Sequence, residues 1–187
     1  MLWPGFVYRR LVNQRLVVTV LGTDRPGLVE AVSKAVAARS GNWEASRMAR
    51  LAGRFAGVLL VTAPTAEVDH LADDLRALGH HGLQVLVEKG DDSAPETRSV
   101  MDLEVMGHDR AGIIREVSAA LAQRGVNIDE LDTQCDSAPM AGHNLFRMRA
   151  RVVVPADVEP GVLRSELEAI GGDLMVDIAL VEPIDPD

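Results

Sequence analysis

Two rhythms of apolar residues take turns along the chain, one of period two and one of period near 3.6, and their order predicts the fold. Leu16-Val17-Val18-Thr19-Val20-Leu21 is rich in β-branched residues and predicts a strand. Leu28, Val29, Val32 and Val36 then recur at helical spacing, with Pro26 suited to the first helical turn and Glu30 to its positive end. Ser40-Gly41 ends that helix. Asn42–Leu51 and Phe55–Ala63 predict two more strands around a turn at Gly53. The second of these is apolar throughout, which makes it central, and Pro64 stops it. Thr65 stands where it would cap a second helix, which carries Val68, Leu71, Ala72, Leu75 and Leu78 on one face. After the Gly79-His80-His81-Gly82 turn, Leu83, Val85 and Val87 alternate with Gln84, Leu86 and Glu88 in a fourth strand.

The second half repeats this order. Met101, Leu103 and Val105 face one way, and Asp102 and Glu104 the other. Ile113, Ile114, Val117 and Leu121 reproduce the first helix's spacing, and Val126–Gln134 predicts the next strand. A loop over Asp136–Gly142 leads to a strand in which Phe146, Met148, Ala150 and Val152 alternate with Arg147, Arg149 and Arg151, and Pro155 stops it. Val158, Val162, Leu163, Leu167 and Ile170 mark a last helix, and Leu174, Val176, Ile178 and Leu180 a last strand.

The repetition extends to residue identity. One constant offset carries Val20-Leu21-Gly22-Thr23-Asp24-Arg25-Pro26-Gly27 onto Val105-Met106-Gly107-His108-Asp109-Arg110-Ala111-Gly112. Over Val20–Asn42, 11 of 23 positions are identical at that offset, Arg39/Arg124 and Asn42/Asn127 among them, so the chain is an internal duplication. The expected division is an arm at 1–14, a first unit at 15–90, a linker at 91–97, a second unit at 98–183 and a tail at 184–187. Each βαββαβ unit with right-handed crossovers gives a ferredoxin-like α+β fold: a four-stranded antiparallel sheet of order 4-1-3-2 with both helices on one face. Strands one and three are then neighbours. Asp102 and Glu104 should therefore lie opposite Arg147, Arg149 and Arg151 on the helix-free face, a solvated and internally paired surface.

Composition narrows the function. The formal net charge is −9, which argues against a duplex nucleic-acid surface. Cys135 is the single cysteine, read here as an inert thiol; no intrachain disulfide is possible, which fits a reducing cytoplasm. No apolar run approaches the ~20 residues of a membrane span, and residues 1–14 read as an arm rather than a signal peptide. His70, His80, His81 and His143 lack metal-ligand spacing. No nucleophile–base pair and no phosphate-binding loop is evident, so neither an enzyme nor a cofactor is expected.

The chemistry concentrates at the two strand-to-helix turns. Gly27 and Gly112 lack a Cβ and let a ligand approach the backbone. The N–H groups at a helix start favour a carboxylate by about 0.3–1 kcal/mol at exposed sites. Asp24 and Asp109 can accept from an α-ammonium, and Asn42 and Asn127 can donate and accept. Together these groups suit a free α-amino acid. The plainer reading also stands: Asp24 and Asp109 as helix caps, the glycines as packing, the asparagines as turn residues, His108 as an exposed loop residue.

A βαββαβ repeat whose first turn reads Gly-x-Asp-Arg-Pro-Gly, and whose second strand opens with asparagine, resembles the ACT domain, a small regulatory module that binds amino acids. Two such units with nothing else, over about residues 15–183, resemble the glycine cleavage system transcriptional repressor family. Many ligand-binding ACT units carry a polar side chain where Gly22 and Gly107 stand here, and proline where Ala111 stands. The resemblance implies a non-catalytic regulator that binds a small amino acid, glycine or serine, and signals by protein contact. The ligand residues would be Asp24, Pro26, Gly27, Leu28 and Asn42, with His108, Asp109, Gly112, Ile113 and Asn127. In the family each ligand lies between paired units, touching one unit's turn and the other's asparagine. A homodimer is expected, since unpaired strand edges invite association. With no helix-turn-helix sequence, a role in transcription would pass through a DNA-binding partner protein. The alternative is a ligand-free ACT scaffold that serves only dimerisation or protein interaction.

Overall fold

The computed structural model describes residues 13–90, 99–138 and 143–183. The chain divides into two compact units, Met1–Ser93 and Ala94–Asp187. In the first, β1 (Asn13–Thr23), α1 (Leu28–Ala38), β2 (Asn42–Leu51), β3 (Arg54–Pro64), α2 (Val68–Ala77) and β4 (Leu83–Lys89) follow the expected βαββαβ order. In the second, β5 (Ser99–His108), α3 (Ile113–Gln123), β6 (Asn127–Ala138), β7 (His143–Val154), α4 (Pro160–Leu174) and β8 (Val176–Val181) repeat it. The sheets are antiparallel, with strand orders β2-β3-β1-β4 and β6-β7-β5-β8, the order anticipated from the sequence.

Alternation puts every second strand residue under the helices. In the first unit Leu16, Val18 and Val20 of β1 meet Leu59 and Val61 of β3, and Val32 of α1 and Leu71 of α2 close over them. Leu103 and Val105, with Met148 and Val152, do the same beneath Val117 and Leu167 in the second unit. Each helix pair is also tied at one repeated position. Arg39 Nε donates to Asp74 Oδ2 at 2.6 Å, linking the end of α1 to α2. Arg124, its counterpart in the second repeat, grips Glu166 of α4 with Nε at 2.8 Å from Oε2.

On the helix-free face the register forms rows across the three strands. In the second unit these rows are Arg151–Asp102–Val181, Arg149–Glu104–Ala179 and Arg147–Met106–Asp177. The expected charge pairing is present: Arg151 to Asp102 and Arg149 to Glu104, both at 3.2 Å. The equivalent rows of the first unit are Leu60–Val17–Glu88, Val58–Thr19–Leu86 and Ala56–Leu21–Gln84.

Several local expectations are corrected. Val29 and Ile114 leave the apolar stripe and are exposed, as is Val162. Pro26 lies before the cap residue Gly27, outside the helix. Thr65 opens a 3-10 turn, Thr65–Glu67, and α2 starts at Val68 with no side-chain cap. Leu174 ends α4 instead of starting the last strand, because Met175 turns the chain at φ 54°. Asp136 lies in β6, which runs on to Ala138; the rest of the expected loop, residues 139–142, falls outside the described residues, as do the linker, the tail and most of the arm.

Leu103 is fully buried, so Leu103→Ala should cost about 2–5 kcal/mol in urea denaturation, by lost transfer energy plus a cavity. Arg39, through its hydrogen bond, holds the Asp74 carboxyl below its ordinary range. A carboxyl depressed by folding stabilises above its unfolded pKa, and that stability disappears as pH falls through its folded pKa. Arg39→Ala should therefore lower Tm at pH 7. The gap from the parent protein should narrow once pH drops below the ordinary aspartate range, as calorimetry at a series of pH values would show.

Candidate functional site

The turns Asp24–Gly27 and Asp109–Gly112 join β1 to α1 and β5 to α3. Gly27 has φ 91° and Gly112 φ 102°, a region that L side chains rarely adopt. An added Cβ would meet nothing nearer than 3.9 Å at either glycine. Conformation, and not packing, therefore selects glycine, and the turn stays open to the outside. Ala31 N–H donates to Gly27 O at 2.9 Å and Glu116 N–H to Gly112 O at 3.0 Å. The three preceding amides of each helix lie ahead of these first intrahelical bonds.

No side chain caps α1 or α3, which overturns the capping role for Asp24 and Asp109. The backbone N–H of each aspartate instead pins the turn to the adjacent hairpin: Asp24 to Gly53 O and Asp109 to Asn144 O, both at 2.9 Å. Their carboxylates diverge. Asp24 Oδ2 accepts from Arg50 Nε at 2.7 Å. Asp109 accepts a hydrogen bond from the thiol of Cys135. Arg50 and Cys135 occupy the same place in the two repeats, paired across the hairpin with Phe55 and Phe146. Loss of hydration around the sulfur, then the Asp109 and Asp136 carboxylates, raises the Cys135 pKa above the ordinary thiol value, so the group stays protonated at neutral pH. Flanking contacts differ too. Arg54 donates to Thr23 Oγ1 at 3.1 Å in the first unit, and Arg110 to Asp173 O at 3.2 Å in the second.

The remaining candidates separate. Leu28 and Ile113 bury their side chains in the core, so only their main chain can face a ligand. Pro26 and His108 are exposed beside the turns. Asn42 and Asn127 are exposed at the first positions of β2 and β6. Through β3, Asn42 aligns with Thr62 and Thr62 with Arg15, at the start of β1. The run from Arg15 to Thr23 extends about 26 Å at ~3.3 Å per residue. Turn and asparagine thus sit at opposite ends of one sheet. Trp43, next to Asn42, packs against the first unit's core.

Gly22 and Gly107 have a different reason. A Cβ at Gly22 would lie 2.8 Å from Gly82 O, and one at Gly107 2.9 Å from Val176 Cα. The start of the last strand closes over both positions, which leaves no room for the polar side chain common there in ligand-binding relatives. The different neighbours of the two aspartates, Arg50 and Cys135, are not evident from motif spacing, although the offset of the duplication pairs them.

ACT-domain models match residues 14–88 and 101–172, most of the chain. The chain belongs to the ACT-domain family. A solved structure of an unknown protein from Galdieria sulphuraria is 35% identical to it, covering 92% of this chain and 100% of that one with a TM-score of 0.83. The tandem ACT fold also matches a candidate glycine cleavage system transcriptional repressor at TM-score 0.66, 23% identity and coverage of 90% and 96%. At the level of one ACT unit, the UPF0237 protein MK1213 of Methanopyrus kandleri is 38% identical over 80 residues, 41% of this chain and 89% of that protein. ACT domains are regulatory modules, and no helix among the described residues is long and apolar enough to cross a membrane.

The positive φ at the ACT turns yields a stability prediction. Gly112→Ala should cost about 1–2 kcal/mol by urea denaturation, because an alanine there must hold a left-handed backbone.

Proposed function

We propose that this tandem ACT protein is a non-catalytic cytoplasmic regulator that senses a small free amino acid, glycine or serine, and passes the signal by contact with another protein. The observation that carries this reading is the duplicated turn: an uncapped helix start opened by a positive-φ glycine, with an aspartate carboxylate beside it. The helix amides suit the ligand carboxylate and the aspartate suits its ammonium. An asparagine supplied by a second unit completes the set. The protein acts as a homodimer, and any transcriptional role runs through a DNA-binding partner rather than direct DNA contact.

The two turns are not equal in this reading. Arg50 already neutralises Asp24, while Asp109 meets a neutral thiol, which leaves its full charge for an ammonium. Calorimetric titration with glycine and with serine should give one ligand per chain. Asp109→Asn should weaken binding at least tenfold, whereas Asp24→Asn should leave it in place. Arg50→Ala should raise the stoichiometry to two. Absence of heat with every proteinogenic amino acid at millimolar concentration would sink the sensor reading. It would favour a ligand-free ACT scaffold, which the closed positions at Gly22 and Gly107 also support.

A further inference from the structure

The helix-free face of the second unit is a ladder of charges with one broken rung. Through the register, Glu130, Arg151 and Asp102 align across three strands, and so do Asp132, Arg149 and Glu104. Each arginine in these two rows stands between two carboxylates and bonds the one on β5. The third row is Gln134–Arg147–Met106–Asp177. There the arginine stands between an amide and a thioether, and the carboxylate lies one strand further off. Arg147 Nε is buried and has no hydrogen-bond partner among the described residues. Its Nη1 is 3.8 Å from Asp136 Oδ2, beyond hydrogen-bond reach, and Asp136 already accepts from Gln134 Nε2 at 2.8 Å. Leaving a buried donor without an acceptor is costly, and more so on a charged group. A pocket of about 220 Å³ opens beside this rung. Arg147, Arg149, Glu104 and Asp177 line it together with Met106 and Ala179. The first unit's equivalent row, Ala56–Leu21–Gln84, carries no charge.

We propose that this pocket binds a small monocarboxylate with an apolar body, held through Arg147. A guanidinium presents parallel N–H groups that match a carboxylate in two-pronged geometry. The rest of the lining decides between anions. Arg149 is already paired with Glu104 at 3.2 Å, so a single cation is left for the ligand. Glu104 and Asp177 would repel the second charge of a phosphate or a dicarboxylate. Met106, 41% exposed, and Ala179 offer an apolar surface beside the cation. Ala179 also shapes the site. It lies between Asp177 and Val181 on the same face of β8, and its short side chain keeps the hollow open. This inference goes beyond amino-acid sensing at the turns and does not rest on it, since the ligand needs no ammonium group.

The experiment titrates the full chain with sodium hexanoate and follows amide chemical shifts by NMR, with acetate, hexylamine and inorganic phosphate as comparisons. Hexanoate should give saturable shifts centred on Met106, Arg147 and Asp177. It should bind at least about tenfold more tightly than acetate, because its additional methylenes leave water. Arg147→Met, which keeps the bulk and removes the donors, should weaken hexanoate at least about tenfold. Ala179→Leu fills the hollow with every charge in place and should do the same. Far-UV circular dichroism and Tm check that both variants fold. The double change Asp102→Ser, Arg151→Ser, two rows away, should leave binding as it is. Glycine titrated into Arg147→Met should behave as it does with the parent, so the failure of this site and the failure of the sensing turns are separate results. Absence of saturable shifts at tens of millimolar hexanoate would overturn the proposal, as would binding indifferent to both pocket variants. So would hexylamine or phosphate binding as tightly as hexanoate, since neither is a monocarboxylate.

Discussion

Everything in each unit hangs on how the chain leaves its first strand. A strand that ends in open solvent must reverse onto its own sheet within a few residues, and it does so through a backbone angle that only glycine holds without strain. The aspartate N–H fixes the turn to the hairpin beside it, and the helix that follows then lies at the angle that places Leu28, Val32 and Val36 over the sheet. Tilt that helix and the stripe no longer meets β1 and β3. The same constraint leaves the first amides of α1 and α3 without a side-chain cap.

Much of this was legible because it is local. The alternation Met101-Asp102-Leu103-Glu104-Val105 assigns each residue to a face without reference to anything distant, and the topology rules then put Asp102 opposite Arg151. Two matching turn motifs, one in each half of the chain, carry the domain architecture. What stayed hidden depends on geometry that period and spacing do not encode. Val29 and Ile114 sit only about 20° beyond the edge of the stripe that Val36 and Leu121 mark, a rotation that counting apolar residues cannot resolve. Leu174 stands at a helix–strand joint where either neighbour could claim it. Arg50 reaches Asp24 only through the register of the β2–β3 hairpin, and the asparagines lie at the wrong end of their own sheet for the same reason.

Duplication held the backbone and released the side chains. The bulge after Trp43 recurs after Ile128, and the helix-to-helix tie at Arg39 recurs at Arg124. The two copies part company where backbone demands are silent: the helix-free face, and the hairpin residue that looks onto the turn. Divergence at such positions costs little folding stability and changes what each unit can touch.

The Asp24–Arg50 pair carries a consequence of its own. The Arg50 side chain is 71% exposed, so the attraction between the two groups passes largely through solvent and is open to screening by mobile ions. Near physiological ionic strength the screening length is about 8 Å and the pair persists; in strong brine it shrinks to roughly 3 Å and Asp24 is set loose. Ionic strength is thus a dial that acts on one turn and spares the other, so the two halves of a duplicated chain need not respond alike to the same surroundings.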